Sequence, residues 1–199
     1  MSPPSEIESG DDFAARLAAP TATPGGGAAA ARVALFAVSL VRMVAGITLA
    51  KLSSDEPHRE FERILKTGEA LDDGMRQLER DDMAAFEDYL TALRLPRATA
   101  DERAARQSAR QQAALRCAEV PFALLQSIVE TESAAGQLRA LGQQVRLRAA
   151  SDLPVAEALA EAAFQAAQHT LEANLGELQP EIAEQFRSQS GQLAARRGR

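Results

Sequence analysis

The chain has no tryptophan, one tyrosine, one cysteine and two histidines in 199 residues. Each scarcity removes a class of protein. A single cysteine, Cys117, forms neither an intramolecular disulfide nor a cysteine-based zinc site. The two histidines, His58 and His169, lack the glutamate three residues earlier that a ferritin-type di-metal bundle requires twice. No metal is expected, and the same shortage disfavours a Ser-His-Asp triad. Basic excess is absent too: the net charge is −6, so there is no net attraction to phosphate and no nucleic-acid partner is expected. The opening "MSPPSEIESGDD" has no basic region followed by an apolar one, which predicts no secretory signal and a cytoplasmic setting. Nearly half the residues are apolar and a quarter charged, as in a soluble globular chain with an ample core.

What is present is concentrated in "TATPGGGAAAARVALFAVSLVRMVAGITLAK", residues 21–51. Ala28 to Ala50 is long enough to cross a bilayer, but Arg32 and Arg42 lie inside it. Each arginine costs roughly 2.5–3.5 kcal/mol near a helix centre, and alanine offsets almost none of that. No membrane span is expected; the stretch reads as a helix buried on most sides. It is not a P-loop either, because Gly27 is followed by alanines where a lysine is required. Pro24 fixes one dihedral and Gly25, Gly26 and Gly27 free others, so the chain turns sharply into a helix whose first N–H groups can face an anionic or carbonyl oxygen.

The rest of the sequence predicts helices and almost no strands. Ser9, Asp11 or Asp12 caps a short helix through Ala18, and a long helix covers about 26–51. After "LSSDEP", helical apolar spacing runs from His58 through Leu93 and stops at Pro96. Thr99 and Glu102 form a capping box for a helix to about Thr131, kinked at Pro121, and "AAGQLRALGQQVR" after it is ambiguous. Ser151 or Asp152 caps a helix with Pro154 in its first turn, ending near Leu175. A last helix follows "ELQP". A helix over 58–93 would be about 50 Å long, too long for a compact domain of this size. The expectation is one all-α domain over 1–199, an elongated bundle that dimerises through helices 26–51 and 58–93, with 1–8 and 190–199 as flexible tails.

Chemistry therefore falls to carboxylates and lysines. In "LERDDMAAFEDYL", Asp82 lies four residues after Leu78 and four before Phe86, so it shares an apolar helix face. An aspartate there is a candidate acid or base; a solvated face is the usual alternative.

These segments carry a resemblance. "TPGGGAAAA", the "MV" and "TLAK" that follow, "DDMAAFEDYLTALRLPRATADERAAR", "VPFALL" and "SDLPVAEAL" occur in the order seen in the cyclodeaminase/cyclohydrolase family. That family includes formiminotetrahydrofolate cyclodeaminase and bacterial methenyltetrahydrofolate cyclohydrolases, and the likeness covers about residues 10–185. It implies an all-α homodimer acting on a tetrahydrofolate derivative as substrate, with no further cofactor. Asp82 matches the family's catalytic acid/base. Thr23, Gly25, Gly26, Gly27, Lys51, Ser151, Asp152 and Asn174 match positions that line the folate cleft. The departures are Leu52 for a second basic residue, Ser54 for an aromatic and Thr170 for an asparagine. Cyclohydrolase is the leading expectation, cyclodeaminase the second, and a non-catalytic helical binding protein the third.

Overall fold

A computed structural model describes residues 10–53 and 57–197; the expected roles of Ser9 and Ser54 lie outside these. Among the described residues there are six α-helices and no strand: α1 (Gly10–Ala18), α2 (Gly26–Leu49), α3 (His58–Arg94), α4 (Ala100–Leu141), α5 (Leu153–Leu175) and α6 (Pro180–Arg196). At 1.5 Å per residue, α3 and α4 extend about 55 and 63 Å. The bundle is therefore elongated.

α2 is the axis. Ala28, Ala34, Ala37, Val38, Val41, Val44 and Ala45 are fully buried, and α3 and α5 pack directly on them. Small side chains permit that close approach. One core lies around Leu35, Met75, Leu125 and Phe164; a second, nearer the far end of α2, gathers Val41, Phe61, Ile64 and Leu138. By length and apolar content α2 could cross a membrane, yet half of its most apolar stretch is buried within the fold. Its two arginines have partners on α3. Arg32 forms a bidentate pair with Glu79, and Arg42 reaches Asp72 at 2.7 Å. Gly68 makes the second pair possible: a Cβ there would stand 2.5 Å from Arg42 Cγ. Such pairs contribute little net stability but fix which faces of α2 and α3 meet.

The Thr99–Glu102 capping box forms as expected. Three boundaries differ from expectation. α4 runs to Leu141 and absorbs most of the ambiguous segment, because Ala134, Ala135 and Leu138 are buried against α2 and α3. Ser151 and Asp152 form a 3-10 turn (Ala150–Asp152), and no side-chain cap bond starts α5; Pro154 alone marks its first turn. Residues from 190, expected as a flexible tail, are helical to Arg196: Leu193 is buried, and Arg197 pairs with Glu132 and Glu161.

Candidate active site

The glycine-rich turn ends against α3. Thr23–Pro24 is a cis peptide, Gly25 is the N-cap of α2, and Gly27 is buried in the first turn. Asp82, on the inner face of α3, points into that turn: its Oδ2 accepts a hydrogen bond from Ala28 N–H at 2.9 Å. The helix start that looked open to a substrate oxygen is thus partly taken by the protein's own carboxylate. Gly27 explains how this is possible. A Cβ at Gly27 would lie 2.0 Å from Asp82 Oδ1, whereas one at Gly25 meets nothing and one at Gly26 only touches Thr170 Oγ1 at 3.8 Å. Of the three glycines, only Gly27 is required for the carboxylate to dock.

Beside Asp82 is a cavity of about 190 Å³. Thr23, Gly25 and Gly26 form one wall, Phe86 and Cys117 a second, and Thr170 and Asn174 a third. Asn174 Nδ2 donates to the carbonyl of Cys117, which orients the amide and ties α5 to α4. Thr23 Oγ1 donates to Glu87 Oε1 at 2.9 Å, so this hydroxyl is engaged by α3.

Burial pushes the Asp82 carboxyl above its ordinary value of 3.8, and the bond from Ala28 only partly opposes this. The result is a held carboxylate with raised basicity, suited to accept and return a proton. The Cys117 thiol is pushed up to about 11, first by burial and then by the charge of Asp82. It is therefore a neutral wall of the cavity and no nucleophile.

Six of the sequence-predicted residues come together here: Thr23, Gly25, Gly26, Gly27, Asp82 and Asn174. Three do not. Lys51 follows the other end of α2, about 36 Å from Gly27 at 1.5 Å per residue. Ser151 and Asp152 are in the turn packed at that same end, where Arg148 N–H donates to Thr48 Oγ1 at 2.9 Å. Within one chain the two groups are separated by the length of α2. Sequence reasoning missed Phe86 as a cavity wall, Cys117 and Glu87; of these only Phe86, one turn beyond Asp82, carried a helical-spacing signal.

Comparisons with known proteins find a matching family and a matching fold. The family profile described as formiminotransferase-cyclodeaminase matches residues 9–192. A methenyltetrahydrofolate cyclohydrolase from Methylorubrum extorquens is 34% identical over 113 residues, covering 57% of this chain and 54% of that protein. The formimidoyltransferase-cyclodeaminase of Rattus norvegicus is 31% identical over 144 residues, covering 72% of this chain but only 26% of that protein. The crystal structure of formiminotetrahydrofolate cyclodeaminase from Thermotoga maritima superposes with a TM-score of 0.78 at 25% identity, covering 96% of this chain and 90% of that one.

Proposed function

The chain belongs to the formiminotransferase-cyclodeaminase family, and from that premise we propose that it is a methenyltetrahydrofolate cyclohydrolase that works as a homodimer. The observation that carries the reading is the half-buried Asp82 carboxylate, fixed by Ala28 N–H at the side of a cavity and raised in basicity by its burial.

The chemistry follows from the substrate. Methenyltetrahydrofolate carries a cationic amidinium carbon between N5 and N10. Water attacks that carbon and gives one proton to Asp82, while the negative carboxylate favours the cation in place. The carbinol then collapses: its C–N5 bond breaks, the electron pair of the O–H bond forms the formyl C=O, and that proton leaves to solvent. Protonated Asp82 returns its own proton to N5. The product is 10-formyltetrahydrofolate, with one proton released and the carboxylate regenerated. Cyclodeamination poses the same demand, since N5 attacks a formimino carbon and ammonia departs with a proton; the likeness to the Thermotoga maritima enzyme favours it as the second reading.

The homodimer accounts for the separated residues. The outer face of α2 is an apolar line, with Phe36 50% exposed, Met43 36% and Ile47 44%, and it runs from Gly26 beside the cavity to the end that bears Lys51. A second copy packed antiparallel on this line covers it. It also carries its own Lys51, Ser151 and Asp152 to the neighbour's Asp82, where a cation can meet the folate's glutamate carboxylates.

Both folates offered side by side to the purified protein test the reading. The expected result is loss of the methenyl chromophore accelerated by wild type and not by Asp82→Asn, with slower ammonia release from formiminotetrahydrofolate. Hydrolysis undiminished in Asp82→Asn refutes the role of Asp82. Ammonia release alone makes the protein a cyclodeaminase, and neither reaction makes it a non-catalytic binder.

A further inference from the structure

Arg32 and Glu79 meet one turn away from the Asp82 contact. On α3, Glu79 precedes Asp82 by three residues and shares its face; on α2, Arg32 follows Ala28 by four. The Asp82 bond to Ala28 N–H and the Glu79 pair with Arg32 are therefore adjacent rungs between the same two helices, about 5–6 Å apart at the Cβ atoms of each. Arg32 uses both the edge and the face of its guanidinium. The edge donates through Nε and Nη2 to the two oxygens of Glu79, and the flat face lies 4.2 Å from the centroid of the Phe13 ring. Phe13 is the buried residue of α1, so one side chain seats both α1 and α3 on α2. From α1 the chain runs on to Ala22 and Thr23 of the cavity wall.

The same pair places two opposite charges beside the carboxylate. The Arg32 and Glu79 side chains are 16% and 9% exposed, so water and salt screen them little. Other charges around Asp82 are nearer to water. On its own helix, Asp81 is turned to Gln77, and Glu87 takes the Thr23 hydroxyl. α4 presents the neutral Cys117 thiol, with the exposed Arg116–Asp88 pair beyond it. α5 presents Thr170 and Asn174, which carry no charge, and on α1 Arg16 reaches Met83 Sδ at 3.5 Å. The Asp82 carboxyl is pushed up by burial and held back by the Ala28 bond, and a neighbouring charge is not among the causes.

We propose that Arg32 and Glu79 are positioning residues for Asp82: they fix the α2–α3 register that brings the carboxylate to Ala28, and their opposite charges cancel there, so that Asp82 keeps its affinity for a proton. The inference rests on Asp82 as the base of the hydrolysis proposed above. Either charge alone would detune that base, because a cation nearby lowers a carboxyl pKa and an anion raises it.

The test reads the carboxyl directly as well as turnover. NMR of protein carrying carboxyl-labelled aspartate, with the Asp82 signal assigned by its loss in Asp82→Asn, follows the titration without substrate. Glu79→Gln keeps an oxygen to accept from Arg32 and removes one negative charge. Asp82 should then titrate about one pH unit lower, the acid limb of kcat/KM should move down with it, and kcat should fall while KM holds. Arg32→Gln removes one positive charge and should move the titration up by a similar amount. Glu79→Asp keeps the charge, and Arg32→Met/Glu79→Leu removes both in an apolar exchange that buried pairs tolerate; each should titrate near wild type. Loosened packing alone would lower turnover in the single variants without moving the titration in opposite directions. A titration that stays in place in both single-charge variants, or moves the same way in both, overturns the inference. Opposite shifts in a protein whose Asp82→Asn form still hydrolyses the folate support the pair's hold on Asp82 and refute only its role as the base.

Discussion

Gly27→Ala separates folding from chemistry at the centre of the site. The added Cβ would stand 2.0 Å from Asp82 Oδ1, 2.5 Å from its Cγ and 2.8 Å from Oδ2, so the whole carboxylate must leave. Asp82 is short and can rotate about its first dihedral, so the backbone need not move. The stability terms nearly offset. Alanine gains about 1 kcal/mol over glycine within a helix. The lost charge-assisted bond to Ala28 N–H costs roughly 1.5–3 kcal/mol. The displaced carboxylate also regains solvation that burial denied it, so the net loss should be no more than about 1 kcal/mol, read as a small shift in a urea midpoint with unchanged slope. Turnover should fall far more, by about 10²-fold, because a general base displaced by an ångström no longer reaches its proton. Gly25→Ala is the control for folding: its Cβ meets nothing and its φ of −125° suits any residue, so the urea midpoint should stay near wild type and Asp82 should stay docked. A Gly27→Ala protein that keeps full turnover would refute the docking of Asp82 as the basis of catalysis.

Asp82→Asn should lower turnover by about 10²–10⁴-fold, and the wild-type kcat/KM should fall about tenfold per pH unit below the raised carboxyl pKa and level off above it. The stability effect has the opposite sign: a carboxyl raised in the folded state holds its proton more tightly there than when unfolded, so folding gains as pH falls through the folded value. Asp82→Asn should therefore be at least as stable as wild type at neutral pH, with the difference closing in acid, measured by denaturant melts across pH. Phe36→Glu with Met43→Glu should convert a dimer to a folded monomer by light scattering and abolish turnover, because the exposed apolar line of α2 is then charged. Glu79→Leu removes the bidentate carboxylate from a largely buried Arg32 and should cost about 3 kcal/mol by chemical denaturation. The Cys117 thiol, neutral until about pH 11, should resist alkylation in the folded protein at pH 8 and react only on unfolding.

The helical class, the long third helix, the capping box at Thr99 and the proline-led start of α5 were all legible in the order of residues. They are local properties: apolar side chains at helical spacing, a hydroxyl placed before a glutamate, a proline with no N–H to lose. The inward face of Asp82 was legible for the same reason, since position on a helix follows from spacing to Leu78 and Phe86. Local pattern could not say where α4 ends. The segment after Thr131 was ambiguous in local pattern, and in the structure it is a helix whose Ala134, Ala135 and Leu138 are buried in the core shared with α2 and α3.

Pairwise meetings between distant segments were decided by packing alone. Nothing local to Arg32 and Arg42 names Glu79 and Asp72 as partners, and nothing local to Gly27 says that its missing Cβ makes space for a carboxylate 55 residues away. Likewise, a list of residues carries no distance. Lys51, Ser151 and Asp152 stand in the same list as Asp82, yet a 24-residue helix holds them at the opposite end of the bundle. Helix type follows from interactions within a few residues along the chain; the site follows from which faces of rigid helices are pressed together, and that depends on all of them at once.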